Sequence, residues 1–341
     1  MYGNQFSMNI FKFKQSVLLV IVILLSGCDN GIKQQDERSV ARLGTSSVGS
    51  TFYIIANGFS NLIQNHAAVN ITVEPIGGSY ANIFSLQAGK IDYAITNSGA
   101  AYDGRYGVPP FKAHSDISLI AQGQASYRFV LVRRDREIQS LEDLDDKILI
   151  GRRPALPELS EISSSLVEVA NLTDLKIVST KNTKESLRHI KSGTVDGMII
   201  PGGTRVPAVV QLFRDELVDP LYIPDDIFDT MKAKVPEYMF THTFPSGHFE
   251  GQQKPFSVFA LNTYLVAAPH ASDKDVYLLT KSLFENLEEF GTFHNEAKKW
   301  TLGNTLTDPK IPFHSGAVRY FKEQGVWTEE LESIQNKLLN L

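Results

Sequence analysis

The stretch GTSSVGST, residues 44–51, is the part of the chain whose residue types and spacing best fit ligand chemistry. Its spacing is that of a phosphate-binding P-loop in which serine replaces the lysine. The glycines let the backbone approach a ligand, and the free amides and dipole of the following helix favour a negatively charged group. The stretch therefore predicts an anion pocket, with the candidate ligand contacts Thr45, Ser46, Ser50, Thr51 and Tyr53.

A nucleoside triphosphate would need more than this loop offers. It requires a lysine on the outer phosphates and an acid at the end of a neighbouring strand to hold a metal. Position 50 is serine. The acid of the predicted strand IDYAIT, Asp92, lies at the start of that strand and not at its end. We therefore predict a pocket for a small carboxylate without phosphoryl chemistry; the alternative is a well-capped helix behind a glycine-rich turn.

Short β-rich runs alternate with helical patterns from Ser39 onward, which predicts βαβ units and a largely parallel sheet. The predicted helices include residues 50–66, 79–87 and 183–191. Two long β-like stretches, ISLIAQGQASYRFVLV and FSVFALNTYLVAAP, bracket a second α/β series. A chain that leaves one α/β lobe, builds another and returns has two lobes joined by two crossing segments, with a cleft and a hinge between them.

The charge of the chain argues against nucleic acid as a partner. The formal net charge is −5, and residues 1–27 contain two lysines and no acid, so their removal leaves 31 basic against 38 acidic side chains, or −7. Nucleic-acid binding depends on a basic surface that neutralises phosphates.

The N-terminus has the layout of a signal peptide, residues 1–27, with an apolar run too short to span a bilayer comfortably. The only cysteine, Cys28, closes the stretch LLSGC, which resembles the bacterial lipoprotein signal. That resemblance implies lipidation of Cys28, and Asp29 behind it implies retention at the inner membrane. The alternative is an ordinary cleaved signal with a chance cysteine. Residues 28–38 are interpreted as a polar tether.

Several segments in order resemble the TAXI-type solute-binding receptors of TRAP (tripartite ATP-independent periplasmic) transporters. They are RLGTSSVGSTFYIIANGFSNLI, EPIGGSYANIFSLQAGKIDYAITNSGAAYDGRYG, TVDGMIIPGG, TYLVAAP with KDVYLLTKSLFENLEEF, and FHSGAVRYFKEQGVW. The resemblance implies the type II periplasmic-binding-protein fold, two α/β lobes with ligand in the interlobe cleft. Combined with the crossing segments, it places residues 39–124 and 250–341 in lobe I and residues 125–249 in lobe II.

The second of these segments contains further candidate contacts. Gly77 and Gly78 end a strand, and Ser79 is placed to cap a helix whose free amides face the cleft. Asn82 lies one turn into that helix. Gly78, Ser79 and Asn82 are predicted ligand contacts, and the alternative for Asn82 is a hydrogen bond that fixes the loop.

The strand IDYAIT leads to Asn97 and Ser98, with Tyr102 one turn further on. The resemblance implies ligand-facing residues in this loop. Tyr102 could equally be a packed aromatic side chain between the lobes.

The chain departs from the family pattern at GRRPALPELS, residues 151–160, where a Gly-Ser-Gly-Thr-like turn is common. Arg152 and Arg153 occupy this position, and because arginine forms bidentate pairs with carboxylates they could clamp the ligand. The alternative is a solvated basic loop or a docking surface. Gly202 and Gly203, at the end of the strand VDGMII, are candidate contacts from lobe II or parts of a simple turn.

Catalytic motifs are missing from the sequence. It contains no G-x-S-x-G or H-E-x-x-H pattern, and its only cysteine belongs to the signal. His242, His248 and Glu250 lie close together in HTFPSGHFE, but their wide spacing in an expected loop is weak evidence for zinc. We therefore predict no enzyme activity, catalytic residue, cofactor or metal.

The predicted function is that of an extracytoplasmic receptor, periplasmic and anchored by lipid to the inner membrane. It captures a small organic anion, an amino acid or carboxylate, and delivers it to the membrane subunits of a TRAP permease. The alternative is an exported lipoprotein that uses the same cleft as a ligand sensor or scaffold for a membrane partner.

Overall fold

The computed structural model describes residues 39–67, 69–204 and 206–341. The predicted signal peptide, Cys28 and the tether lie outside these ranges. Within them, no helix has the length and apolar character needed to cross a membrane.

The described ranges contain ten β-strands: β1 (Ser39–Thr45), β2 (Val69–Pro75), β3 (Tyr93–Asn97), β4 (Ser118–Arg133), β5 (Ile148–Arg152), β6 (Lys176–Ser179), β7 (Gly197–Gly202), β8 (Val218–Pro220), β9 (Phe240–Phe244) and β10 (Phe256–Ala267). They also contain twelve α-helices: α1 (Thr51–His66), α2 (Ser79–Gln87), α3 (Ser98–Tyr106), α4 (Glu158–Val169), α5 (Thr183–Ser192), α6 (Pro207–Arg214), α7 (Asp225–Lys232), α8 (Asp273–Glu285), α9 (Leu287–Phe293), α10 (Leu302–Leu306), α11 (Ser315–Glu323) and α12 (Glu329–Leu339).

The helices predicted from periodicity are confirmed: α1, α2 and α5 lie within one residue of the expected bounds. The predicted capping pair before α8 also forms, since Ser272 Oγ accepts a hydrogen bond from Asp275 N at 3.1 Å. The apolar pattern that continues beyond α8 belongs to two helices, because Asn286 interrupts it with φ −129° and ψ 36°.

All ten strands belong to one mixed sheet. Its order is β2-β1-β3-β10-β4-β7-β5-β6, with β8 on β4 and β9 on β10. β1 is parallel to β2 and β3, and β5 is parallel to β6 and β7, whereas β4 and β10 are antiparallel to all their neighbours. Two parallel groups are thus joined by two long antiparallel strands.

Both long strands pass from one hydrophobic core to others. On β4 the buried apolar residues up to Ala121 belong to one core, and those from Tyr127 onward to two others. On β10 the change falls between Leu261 and Tyr264, where the pairing register with β4 shifts. The crossing segments expected from sequence are therefore β4 and β10. The predicted lobe boundaries stay a prediction, and we use lobe I and lobe II in that sense.

One local prediction is wrong. HTFPSGHFE was expected to be a loop, but His242 lies in β9, where it pairs with Val258 of β10. Only Phe244 of this five-residue strand is buried, so the sequence lacks the alternation that marks a longer strand. The ring of Phe244 lies 5.5 Å from that of Phe129 and 5.3 Å from that of Phe256, and this packing holds β9 on the sheet.

Candidate functional site

The loop between β1 and α1 leads directly into the capped start of α1. Ser50 is the N-cap of α1, and its Oγ accepts a hydrogen bond from Tyr53 N at 3.2 Å. Gly49 has φ +82°, which side-chain-bearing residues rarely adopt. The first turn of α1 contains no acidic residue, and Ser46, Thr51 and Tyr53 are half-buried. The positive end of this helix is therefore not neutralised by an acid of its own first turn.

Thr45, the last residue of β1, joins this loop to the next one. Its carbonyl oxygen accepts hydrogen bonds from Ile76 N at 3.0 Å and Gly77 N at 3.3 Å. Its side chain is fully buried, and Oγ1 has no hydrogen-bond partner among the described residues. A buried hydroxyl without a partner is unusual in a folded protein, and here it lies directly beside the predicted pocket.

The start of α2 also lacks an acid. Gly77 and Gly78 have φ values of +129° and +136°, and Gly78 is the N-cap without a side-chain hydrogen bond. The prediction that Ser79 caps this helix is wrong: Ser79 is its first residue, and its Oγ accepts a hydrogen bond from Asn97 N at 3.1 Å. Because backbone amides of the first turn lack intrahelical partners, α2 presents a second positive end in lobe I.

Asn82 fixes the strands behind these loops. Its side chain is fully buried, and Nδ2 donates a hydrogen bond to Ile95 O at 2.9 Å. Its Oδ1 has no partner among the described residues and would lie 3.3 Å from a Cβ at Gly44. This geometry favours the loop-fixing alternative for Asn82.

The loop at the start of α3 is covered by lobe II. Ser98 Oγ donates a hydrogen bond to Tyr238 O at 3.3 Å and accepts one from Asn262 N at 3.2 Å. A Cβ at Gly99 would lie 2.8 Å from the ring of Tyr238. Asn97 is the N-cap of the helix, with Oδ1 2.7 Å from Ala100 N. Since Tyr238 packs on this turn, little room is left there for a ligand.

Tyr102 makes the interlobe contact that was the alternative to ligand binding. Its hydroxyl donates a hydrogen bond to Glu237 Oε1 at 3.2 Å, and its ring centroid lies 5.6 Å from that of Tyr238. The helix α3 of lobe I is thus tied to the segment before β9.

The side chains of Arg152 and Arg153 lie in different environments. Arg152 is exposed at the end of β5, whereas Arg153 is buried and donates hydrogen bonds to Thr183 Oγ1 at 3.1 Å and Ser186 Oγ at 3.2 Å. Burial lowers the pKa of Arg153, and the neighbouring charge of Arg128 adds to that effect. Arg153 therefore faces the start of α5, and only Arg152 remains a solvent-facing cation in this loop.

Sequence reasoning missed a buried ion pair beside these arginines. Arg128 of β4 donates hydrogen bonds from Nε and Nη2 to Glu158 Oε1, at 3.1 and 2.6 Å, and both side chains are 1% exposed. Glu158 is the first residue of α4, so a carboxylate of the protein already lies at the positive end of this helix. Two features of the sequence could have indicated this ion pair: an arginine inside the apolar run of a strand, and a glutamate directly after Pro157.

A carboxyl group lies between α2 and α3. Tyr80 donates a hydrogen bond from its hydroxyl to Asp103 Oδ2 at 2.5 Å. Burial raises the pKa of Asp103 to about 6; the Tyr80 hydrogen bond opposes this rise, and the charges of Glu158 and Glu161 add to it.

Replacing Asp103 with asparagine should change the pH dependence of stability. The folded-state pKa of about 6 lies above the ordinary 3.8, so the folded protein binds more protons than the unfolded chain in this window, and the free energy of unfolding falls as pH rises through it. At pH 7.5 the raised pKa of Asp103 lowers the free energy of unfolding by at most about 3 kcal/mol. Asparagine keeps an acceptor for the Tyr80 hydroxyl and removes this loss. Urea unfolding at several pH values measures it, with Asp229→Asn, an exposed aspartate, as the control. Equal pH slopes for Asp103→Asn and the unsubstituted protein would contradict the assignment.

The loop between β7 and α6 brings Gly203 beside another carboxylate, whereas a Cβ at Gly202 would meet the side chains of Val206 and Phe129. A Cβ at Gly203 would lie 3.2 Å from Glu296 Oε1, and Glu296 Oε2 is 3.2 Å from Lys299 Nζ. His248 Nε2 lies 2.9 Å from Thr204 O. In the described part of the chain, no three His, Cys, Asp or Glu side chains are arranged to hold a metal ion.

Comparisons with known proteins agree with this architecture. Residues 43–325 match the model of the NMT1-like family. The structure of MatC from Rhodopseudomonas palustris with bound malate is similar with a TM-score of 0.50 at 12% identity, over 86% of this chain and 98% of that one. The periplasmic aliphatic sulphonate binding protein SsuA from Escherichia coli has a TM-score of 0.49 at 13% identity, over 87% of this chain and 78% of that one. The similarity to MatC agrees with the predicted two-lobed α/β fold.

Proposed function

This chain belongs to the NMT1-like family, and from that premise we propose that it is an extracytoplasmic solute-binding receptor for a small organic anion. The solute binds at the loops of lobe I that follow β1 and β2, and lobe II closes over it about the crossing strands β4 and β10. Binding is reversible, and no bond of the solute is made or broken.

The observation that carries this proposal is the pair of helix starts in lobe I. α1 and α2 both follow parallel strands at their carboxyl ends, where α/β proteins bind ligands. Neither helix has an acid in its first turn, and Thr45 links their two loops through its carbonyl group. Two helix dipoles and the amides of two first turns therefore favour one negative charge near Thr45.

The finer proposal is a TAXI-type receptor that delivers its solute to the membrane subunits of a TRAP permease, from a lipid-anchored position set by Cys28. Its support is the resemblance of the segments quoted above, together with the signal-like layout of residues 1–28. Radiolabelled palmitate incorporated in the producing cell and lost in Cys28→Ala tests the anchor. An unlabelled parent protein would contradict it.

A thermal-shift screen of the full chain in mild detergent tests the binding function. The panel contains monocarboxylates, dicarboxylates, sulfonates, amino acids and, as neutral controls, sugars of similar size. A ligand that binds only the folded state adds about 2.7 kcal/mol at one hundred times its dissociation constant, so we expect a clear rise in melting temperature with one class of anion. A rise only with the neutral sugars would contradict the anion site.

A further inference from the structure

Arg153 is a buried cation without a carboxylate partner among the described residues. It is 7% exposed, and it donates hydrogen bonds to two neutral hydroxyls, Thr183 Oγ1 at 3.1 Å and Ser186 Oγ at 3.2 Å. Its Nε has no hydrogen-bond partner in the described ranges. A buried charge is costly unless an opposite charge and hydrogen bonds compensate it. The guanidinium of Arg153 is therefore a site that an anion from outside the described residues would stabilise.

The carboxylates at the starts of the neighbouring helices have other partners. Glu158 of α4 accepts two hydrogen bonds from Arg128 through its Oε1. Glu185 of α5 accepts a hydrogen bond through its Oε2 from Lys181 N at 2.7 Å. Glu158 thus balances the charge of Arg128, and the positive charge of Arg153 remains in excess.

Arg153 lies at the edge of lobe II that corresponds to the proposed solute site of lobe I. It follows β5 directly, and it donates to α5, the helix that follows β6. β5 is parallel to both β6 and β7, so the carboxyl ends of these three strands lie at one edge. Such an edge is where α/β proteins bind ligands.

The strand register brings the carboxyl ends of the two parallel groups toward each other. β3 ends at Asn97, which pairs with Thr263 of β10, and β7 ends at Gly202, which pairs with Tyr127 of β4. Tyr127 in turn pairs with Ala260 of β10. β3 and β7 run in opposite directions, because each is antiparallel to one of the two crossing strands, which are antiparallel to each other. Thr263 and Ala260 are separated by about 10 Å along β10, at about 3.3 Å per residue.

The middle of the crossing strands is open between these strand ends. Ala125 and Ser126 are half-buried, whereas the rest of β4 is buried. Asn262 of β10, the pairing partner of Ala125, is also half-buried. Arg128 Nη1 donates a hydrogen bond to Ser126 Oγ at 2.7 Å, so the ion pair of Arg128 borders this opening. A solute that lies on the open part of the crossing strands therefore has strand ends of both lobes beside it.

We propose, on the basis of the binding function above, that Arg153 is the anion-binding residue of lobe II and that the solute carries a second negative group which pairs with it. The first negative group binds at the helix starts of lobe I. The substrate class is therefore a molecule with an acidic group at each end. Closure of lobe II on the solute gives Arg153 its carboxylate partner. Arg152 is exposed to solvent, where an ion pair contributes little.

Pairs of ligands that differ only by one carboxylate test this proposal on the unmodified full chain. The pairs are succinate with succinamate, glutarate with glutaramate, and glutamate with glutamine, each titrated by calorimetry at pH 7.5. In any pair that binds, we expect the diacid to bind at least tenfold more tightly than the amide. Equal or tighter binding of the amide overturns the proposal and leaves the receptor function standing.

The thermal-shift panel separates failure of this proposal from failure of the receptor function. We expect the anions that raise the melting temperature to carry two acidic groups. A panel in which only monoacids raise it overturns the role of Arg153 and leaves the receptor function standing. A panel in which no anion raises it overturns both.

Arg153→Gln provides the second arm of the test. Without the guanidinium, the preference for the diacid over its amide should shrink at least tenfold, while the affinity for the amide should change less than threefold. Arg188→Gln, which removes an exposed arginine from α5, should change the preference less than threefold. A merely structural role of Arg153 would weaken both ligands alike, and that result in a folded Arg153→Gln protein overturns the proposal. If that variant does not fold, the ligand pairs on the unmodified chain decide it.

Discussion

Replacing Arg128 with methionine is expected to lower the free energy of unfolding by about 3–5 kcal/mol, because it leaves Glu158 as a buried, unpaired charge. Both partners are 1% exposed, so water cannot replace the lost hydrogen bonds. The loss is comparable with the whole stability of a marginal domain. Urea unfolding followed by circular dichroism at pH 7.5 measures it.

Two controls separate this charge effect from a loss of packing. In the double variant Arg128→Met with Glu158→Leu, an apolar pair replaces the ion pair, and most of the stability should return. Arg42→Met removes the exposed Arg42–Asp92 pair, whose side chains are 44% and 22% exposed, and should cost less than about 1 kcal/mol. If Arg128→Met costs no more than Arg42→Met, the buried pair does not hold the sheet to α4.

The elements of lobe I could be predicted because their signals are local. Ser50 and Ser272 mark helix starts through their own side chains, and the alternation of strand and helix patterns fixes the parallel groups of the sheet. The crossing strands were also visible, since each is a long run of β-forming residues. Five-residue β9 was missed because it carries one buried residue, and pairing with β10 holds it.

The site could be predicted only in part, because contacts distant in sequence decide it. GTSSVGST has the expected loop geometry, but the sequence gives no sign that Tyr238 packs on Ser98, 140 residues away. Arg152 and Arg153 are identical neighbours in the sequence. The side chain of Arg152 is nevertheless exposed, whereas that of Arg153 is buried against α5. Arg128 and Glu158 are separated by 30 residues, so their pairing depends on the way β4 passes the start of α4.

Ser50→Asp should reduce the affinity for the anion at least 100-fold, which corresponds to about 2.7 kcal/mol of binding free energy. The new carboxylate lies at the N-cap of α1, where the proposed site holds the negative group of the solute. Two negative charges close together in a partly buried loop repel each other strongly. Calorimetric titration with the best anion of the thermal-shift screen measures the change.

The same substitution should leave the fold intact, which makes the binding result interpretable. Aspartate is as good an N-cap as serine, and its charge interacts favourably with the helix dipole, so the melting temperature without ligand should stay equal or rise. Ser50→Asn keeps a capping side chain without the charge and should retain affinity within about fivefold. A Ser50→Asp protein that binds the anion as well as Ser50→Asn does would show that the solute lies elsewhere, since a charge at this cap cannot be neutral toward an anion at the first turn of α1.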